Sequence, residues 1–427
     1  MKRQKVSVTF TQSLLEYSIA SCPELIKTIT PYSALSITLM FKYKSEPRGY
    51  FKLVISDIWS LCQLAQCNRN LKYLIYPFIR KSIIYLSIDE KDFKLSSVNE
   101  LSFNIREIIF NDAFNKTLKH EDFVGSSLRN LKKLTFGYGY NKMLFPDVLP
   151  TTLTSLTFGH NFNQVILPEC LPNSLTSLCF GTDYNQILNS GCLPSSLTSL
   201  YFGLYFNKPL NQNVLPQSLE NLSFENCFDQ PLLPGVLPDR LTNLYFWNSN
   251  YNHPIGYNIL PTALKKLYLG DSFNQPLLTG IFPSSLEYLW FFRGKFNQPL
   301  EYGVLPQNLT NLDFGHEFDQ PIKCGLLPPN LTELDFGDNF NQILEPDTLS
   351  HLTRIKTLEF GENFNQPLYP NVLPKSLKEL KFGKKFNQLL YSGVLPNSLE
   401  ILILSKGYDK SNINTSFPTS LSSIKYE

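Results

Sequence analysis

The sequence predicts a mainly β chain: a right-handed parallel β solenoid preceded by a small α-helical module. Two observations carry the prediction. Aromatic–Asn or aromatic–Asp pairs recur from Phe114 to Tyr408 at steps of 22 to 26 residues, most of them 22. A nearly fixed period in this range is what one supersecondary unit stacked on the next produces. Each unit also carries leucines and a phenylalanine spaced LxxLxF, as at Leu153, Leu156 and Phe158, and the last two alternate as a strand requires. A linear core of this kind also suits 427 residues, which exceed one ordinary globular core.

The chain divides into a helical N-terminal module, residues 1–98, and a repeat region, residues 99–427. The opening MKRQKVSVTFTQSLLEY is basic but has no unbroken apolar run and no small-residue cleavage site, so it reads as uncleaved and not secreted. No apolar run approaches the roughly 18 residues that span a bilayer. The net charge of +2 is nearly balanced, which gives no electrostatic case for nucleic acid or a membrane surface. The cysteines, eight in all, include no CxxC pair, and the histidines are scattered, so no metal site and no cofactor are expected. Isolated buried thiols in a reducing compartment fit this usage, and the expected location is the cytoplasm.

In the repeat region one unit reads LPTTLTSLTFGHNFNQVI, Leu149 to Ile166. The LxxLxF strand is too short to bury its apolar side alone and must stack in register with its neighbours. Glycine follows the strand at Gly159, Gly181, Gly203, Gly270, Gly315, Gly337, Gly361 and Gly383, permitting a sharp departure. The aromatic of the FNQP stretch then turns inward and fills a corner. Its asparagine is expected to satisfy the bend and to bond the same residue one coil away. The ladder comprises Asn163, Asn185, Asn207, Asn252, Asn274, Asn297, Asn341, Asn365 and Asn387, with Asp at Asp229, Asp319 and Asp409. A Leu-Pro pair such as Leu305–Pro306 sets the return path. YFWNSNYN (Tyr245–Asn252) and WFFRGKFN (Trp290–Asn297) each insert one residue between strand and corner.

The residue between the second Leu and the Phe points away from the core. Down the chain this column includes Tyr201, Tyr245, Tyr268, Trp290, Asp313, Asp335, Glu359 and Lys381: aromatics, then acids. Exposed Tyr and Trp on a rigid surface are typical protein-recognition residues, and neighbouring carboxylates steer a basic segment toward them. The alternative is a sheet face supported by cross-strand stacking, with the acids as a solvated rim.

The LxxLxF core at this period looks like a leucine-rich repeat variant. Combined with FNQPL and LPxSL, it resembles the FNIP repeat family, known from social amoebae and from giant viruses of amoebae. The resemblance covers about residues 105–417. Members often carry an F-box ahead of the repeats, and SDIWSLCQLAQCNRNLKYLIYPFI (Ser56–Ile79) resembles its second half. The resemblance implies that Ile58, Leu61, Leu64, Leu71 and Leu74 dock a Skp-type adaptor and, through it, a cullin. The nearest counterpart of an F-box's opening Leu-Pro is Cys22–Pro23, and a helical cap on the first coil is the other reading.

The functional expectation is a non-enzymatic protein–protein interaction protein, a substrate receptor of a cullin–RING ubiquitin ligase whose target is an unspecified protein. One alternative is a repeat scaffold with no ligase link. Another is a β-helix enzyme acting on polysaccharide, with Asp313, Asp335 and Glu359 supplying acid and base and Tyr268 and Trp290 stacking on sugars. A catalytic pair would need a groove wall beside it, whereas a recognition face can be open.

Overall fold

The computed structural model describes residues 105–124, 128–291, 293–414 and 417–427, and the backbone of three short strands ahead of them. Those strands are Ile37–Thr38, which pairs antiparallel with Val54–Ile55, and Ile84–Ile88. The helices expected within residues 1–98, with Ile58, Leu61, Leu64, Leu71 and Leu74, lie outside the described residues. Among the described residues no helix is long and apolar enough to cross a membrane.

The chain forms two compact units, Met1–Leu197 and Thr198–Glu427. In the first, Ile84–Ile88, Ile105–Phe110, Lys133–Thr135, Ser155–Thr157 and Ser177–Cys179 pair in parallel, each with the next in sequence. The first strand of this parallel sheet thus precedes residue 99. In the second unit, parallel strands run in the same way from Ser199–Tyr201 to Ser423–Tyr426. Every strand is two to six residues long among those described, so the solenoid is a stack of very short ladders.

Register is set by leucine. Leu244, Leu267, Leu289, Leu312 and Leu334 stand opposite one another on successive strands and are buried. A one-residue slip would turn this whole column to solvent. Beside it the strand phenylalanine stacks on the corner aromatic of the same coil, as in Phe158–Phe162, with ring centroids 3.7 Å apart, and Phe382–Phe386 at 3.8 Å. The corner aromatics stack on each other between coils at about 6 Å, as in Phe296–Phe318 at 6.0 Å. Each aromatic pair adds about 0.5–1.5 kcal/mol beyond the area it buries.

Glycine after the strand has a steric purpose more than a conformational one. A Cβ on Gly181 would lie 1.7 Å from the carbonyl oxygen of Gly159 below it, and one on Gly337 would lie 1.6 Å from that of Gly315. The coils touch backbone to backbone along this column. Of the glycines that follow a strand, the left-handed ones are Gly315 and Gly337, with φ of 77° and 81°. In both of those coils the outward strand residue is aspartate, and its Oδ1 accepts the glycine N–H two residues on.

The asparagine ladder differs from the expected chain of side-chain amides. Oδ1 of Asn163 accepts the backbone N–H of Asn185 at 3.0 Å and Nε2 of Gln186 at 2.9 Å. The same pair of bonds recurs from Asn252 to Asn274 and Gln275, and from Asn341 to Asn365 and Gln366. The position works as an acceptor. Aspartate therefore serves equally, and Oδ1 of Asp319 accepts Asn341 N–H and Gln342 Nε2, both at 2.9 Å. The ladder residues are half-buried or exposed.

Two further columns complete each coil. The serine of LPxSL donates to a core carbonyl one coil back, as Ser196 does to Leu175 and Ser398 to Leu377, both at 2.7 Å. A left-handed residue precedes the return: Asp147, Glu169, Gly191, Asn213, Gly235, Asn258, Gly280, Gly303, Gly325, Asp347, Asn371 and Gly393, the return being Leu-Pro except for Phe282–Pro283 after Gly280 and Leu349–Ser350 after Asp347. The inserted residues are absorbed the same way, with φ of 48° at Asn248 and 52° at Arg293. Of the cysteines, Cys170 and Cys192 are buried, Cys179 and Cys227 half-buried and Cys324 exposed, so uniform burial does not hold; Cys22, Cys62 and Cys67 lie outside the described residues.

Candidate functional site

The outward face of the second unit's sheet holds the column singled out from sequence. Strand pairing sets Tyr245, Tyr268, Trp290, Asp313, Asp335, Glu359 and Lys381 opposite one another in that order. Neighbours on this face are spaced by the strand repeat of about 4.8 Å.

The aromatics form a continuous patch. Tyr268 meets Trp290 at 4.3 Å and Tyr245 at 5.4 Å between ring centroids, both tilted. Trp247 joins them, stacked on Tyr245 at 5.5 Å and tilted against Tyr268 at 4.5 Å. Tyr288 leans on Trp290 at 5.0 Å and carries the Lys266 ammonium over its ring. Burial raises the Tyr245 and Tyr268 phenols above their usual range, so both stay neutral. Tyr201 stands apart: Ser223, small and buried, lies between it and Tyr245 in the register.

Trp247 is the residue that sequence reasoning missed. It stands in the place that glycine takes in most coils, directly after the strand phenylalanine. Strand alternation puts it on the same face as Tyr245. Its side chain remains 38% exposed. The signal was present in YFWNSNYN, where the glycine is lost and a residue inserted together.

Beyond Trp290 the face turns acidic. Asp313 and Asp335 are half-buried, each bound through Oδ1 to the N–H of Gly315 or Gly337 at 2.7 and 2.8 Å. Burial pushes Asp313 up to about 6, with Glu359 and Asp338 adding to the rise. Burial, then the charge of Asp313, pushes Asp335 up to about 7. Glu359 is bonded to Lys381. Burial would lower the Lys381 ammonium, but Glu359 and the surrounding acids outweigh it and its pKa is raised. Alongside, Glu333 accepts Asn311 Nδ2, and His316 Nδ1 lies 2.6 Å from Asp338.

The arrangement offers a contiguous aromatic patch bordered by carboxylates. Among the described residues no group of three or more His, Cys, Asp or Glu side chains is placed to hold a metal ion.

Comparison with known proteins agrees with the repeat geometry. The FNIP Repeat family matches successive, partly overlapping segments from residues 129–161 through 386–425. The crystal structure of CroV588, described as a novel circular LRR protein, superposes with a TM-score of 0.71 at 36% identity, over 80% of this chain and 53% of that one. A chain of the Drosophila Toll–Spatzle complex gives a TM-score of 0.61 at 14% identity, over 92% of this chain and 55% of its own. A glycosylated form of that complex gives 0.58 at 15%, over 84% and 50%. The chain thus spans about half the length of these solved proteins. No curated protein matches it. With the LxxLxF column, the aromatic–Asn corner and the Leu-Pro return all in register, the chain belongs to the FNIP repeat family.

Proposed function

We propose that the chain is a non-catalytic protein-recognition module whose partner lies along the outward sheet face of the second unit. The observation that carries this is the contiguous patch of Tyr245, Trp247, Tyr268, Tyr288 and Trp290, left on the solvent side of a sheet whose other side is the core. Rigid aromatics of this kind supply large contact area at small entropic cost, which is why they dominate interface energetics. The scaffold reading agrees with an LRR-like solenoid of FNIP repeats. A glycosidic site is less well supported. Asp313 and Asp335 project the same way from neighbouring strands, whereas glycosidic cleavage sets its two carboxyls on opposite sides of one bond.

A double substitution, Tyr268→Ala with Trp290→Ala, is expected to abolish partner capture from amoebal lysate while leaving the unfolding midpoint within a few degrees. Unchanged capture of every partner by the folded variant would remove this face from the reading.

The finer proposal is that the module is a substrate receptor of a cullin–RING ubiquitin ligase in the cytoplasm. Its support is the F-box-like segment Ser56–Ile79, in which the sequence spacing of Ile58, Leu61 and Leu64, then of Leu71 and Leu74, matches two apolar helical stripes. This chain would contribute proximity, holding a target on the sheet face while ubiquitin transfer proceeds elsewhere. Charge placed in the first stripe, Leu61→Asp with Leu64→Asp, is expected to abolish co-purification of a Skp-type adaptor and cullin without affecting capture on the aromatic face. Absence of both proteins from the wild-type complex would leave a repeat scaffold with no ligase link.

A further inference from the structure

The aromatic face ends against charge that the chain itself compensates only in part, Lys381 attracting Asp335 as well as Glu359. Lys381, the one cation in the outward column from Tyr245 to Lys381, is bonded to Glu359. His316 is turned to Asp338. Asp313 and Asp335 each use Oδ1 to accept a glycine N–H, and no other hydrogen bond or ion pair engages either carboxylate among the described residues. Around them stand Trp290 on one side, Glu359 and Lys381 on the other, Glu333 and Asn311 beside them and Asp338 on the following turn. Carboxylates outnumber cations here. Two half-buried carboxylates on adjacent strands lower their free energy by sharing a proton or by taking up a cation from outside.

We propose that the Asp313–Asp335 pair, with the Trp290 indole beside it, seats an arginine side chain of the protein segment bound on this face. The proposal rests on the recognition reading above and names the chemistry of the partner. The register places one ring and two carboxylates in a row, Trp290 opposite Asp313 and Asp313 opposite Asp335. Successive members are about 4.8 Å apart. A guanidinium is planar, lies flat over an indole and forks to two acceptors at once. A lysine ammonium is a point charge on a flexible stem and meets these groups less completely. An apolar or aromatic residue of the same segment then lies over Tyr268, Trp247 and Tyr245.

Binding of this kind takes the ionised carboxylates, so protons leave as the arginine arrives. Affinity therefore rises from about pH 5.5 to about pH 8, by up to roughly tenfold per pH unit for each proton released. Lys381, Glu359, Glu333 and Asp338 face the same pair, with His316 set against Asp338.

The test uses the full chain and a phage-displayed library of random dodecapeptides. Recovered peptides are synthesised and titrated by fluorescence anisotropy against wild type, Asp335→Asn, Asp313→Asn, Trp290→Phe and Trp290→Ala, each checked for folding by thermal unfolding. Asparagine keeps an oxygen for the glycine N–H, so the aspartate variants retain their turn. The expected result is peptides with an arginine close to an aromatic residue. Replacing that arginine by lysine, or Asp335 by Asn, should weaken binding about tenfold or more, which is about 1.4 kcal/mol. Peptides that lose affinity on Trp290→Ala but are indifferent to both aspartate variants, or that accept lysine equally, overturn the arginine seat and leave the recognition face standing. Peptides indifferent to every variant, or recovery of none, overturn both.

Discussion

Oδ1 of Asn274 accepts the backbone N–H of Asn297, one coil later, at 2.9 Å, and Nε2 of Gln298 at 3.0 Å. Neither bond uses the donor side of the Asn274 amide. Asn274→Asp should therefore leave stability within about 0.5 kcal/mol of wild type, while Asn274→Ala should cost about 1–3 kcal/mol by leaving the next coil's N–H without its acceptor. Urea unfolding of the two variants side by side checks this. Equal losses for Asp and Ala would mean that the amide nitrogen matters after all.

Glu169 is a side-chain-bearing residue in a conformation that L-residues avoid. Its φ is 65°, in the column where the neighbouring coils place Asp147 and Gly191, and its side chain is exposed. The left-handed region costs a residue with a Cβ about 1–2 kcal/mol, and asparagine and glycine less. Glu169→Asn and Glu169→Gly should each raise stability by about 0.5–1 kcal/mol, read as a higher urea midpoint at unchanged slope. A loss on both substitutions would show that the carboxylate makes a contact worth more than the strain.

The glycine column predicts the opposite sign. A methyl group on Gly181 would fall 1.7 Å from the Gly159 carbonyl oxygen, which belongs to backbone that cannot rotate away. Gly181→Ala should cost more than about 3 kcal/mol, because two coils would have to separate. Gly191→Ala has open space around its Cβ but a φ of 84°, so only the conformational penalty applies and the loss should be about 1–2 kcal/mol. Thermal unfolding that ranks these two in reverse would contradict the close approach.

For Asp335 the effect depends on pH. Its pKa rises from an ordinary carboxylate value to about 7 on folding, through burial and the neighbouring Asp313. Between about pH 4 and about pH 7 the folded state holds more protons than the unfolded one, so stability falls as pH rises through that window. Asp335→Asn removes the titrating group and keeps an oxygen for Gly337. The variant should be more stable than wild type by on the order of 1–2 kcal/mol at about pH 8, with the gain vanishing toward about pH 4. A pH-independent difference would mean that the pair does not titrate on folding.

Leu156 and Phe158 were legible because alternation within one strand is a short-range pattern, and the period was legible because Phe273, Phe296 and Phe364 each repeat the pentapeptide FNQPL. What eluded the sequence lies between coils. That Ser398 serves the Leu377 carbonyl, and that Asn274 serves a backbone N–H, depends on partners 21 and 23 residues away and on which atom faces which. The recurrence of Gly, Asn and Asp ahead of Leu-Pro was visible, but the Glu169 in that column hides a backbone requirement behind a side chain that ordinarily avoids it. Trp247 was hidden differently, since it replaces a glycine read as a turn and so was not counted among the residues of the face. Asp313 and Asp335 were read as surface acids, while their second duty, fastening the chain to Gly315 and Gly337, needs a φ that no letter spells.

The acceptor of Asn274 knows nothing of the coil beyond Asn297, and each such bond spans a single boundary. Excision of residues 273–295, one complete turn, would present Asn252 Oδ1 to the N–H of Asn297, which normally bonds Asn274, and would set Leu267 opposite Leu312 in place of Leu289. The remaining stack would be one coil shorter, and its outward face would lose Tyr288 and Trp290. Copy number in such a chain is thus a quantity that replication slippage can raise or lower without redesign, and the recognition face can be lengthened, shortened or rewritten one line at a time while the rest of the text still reads.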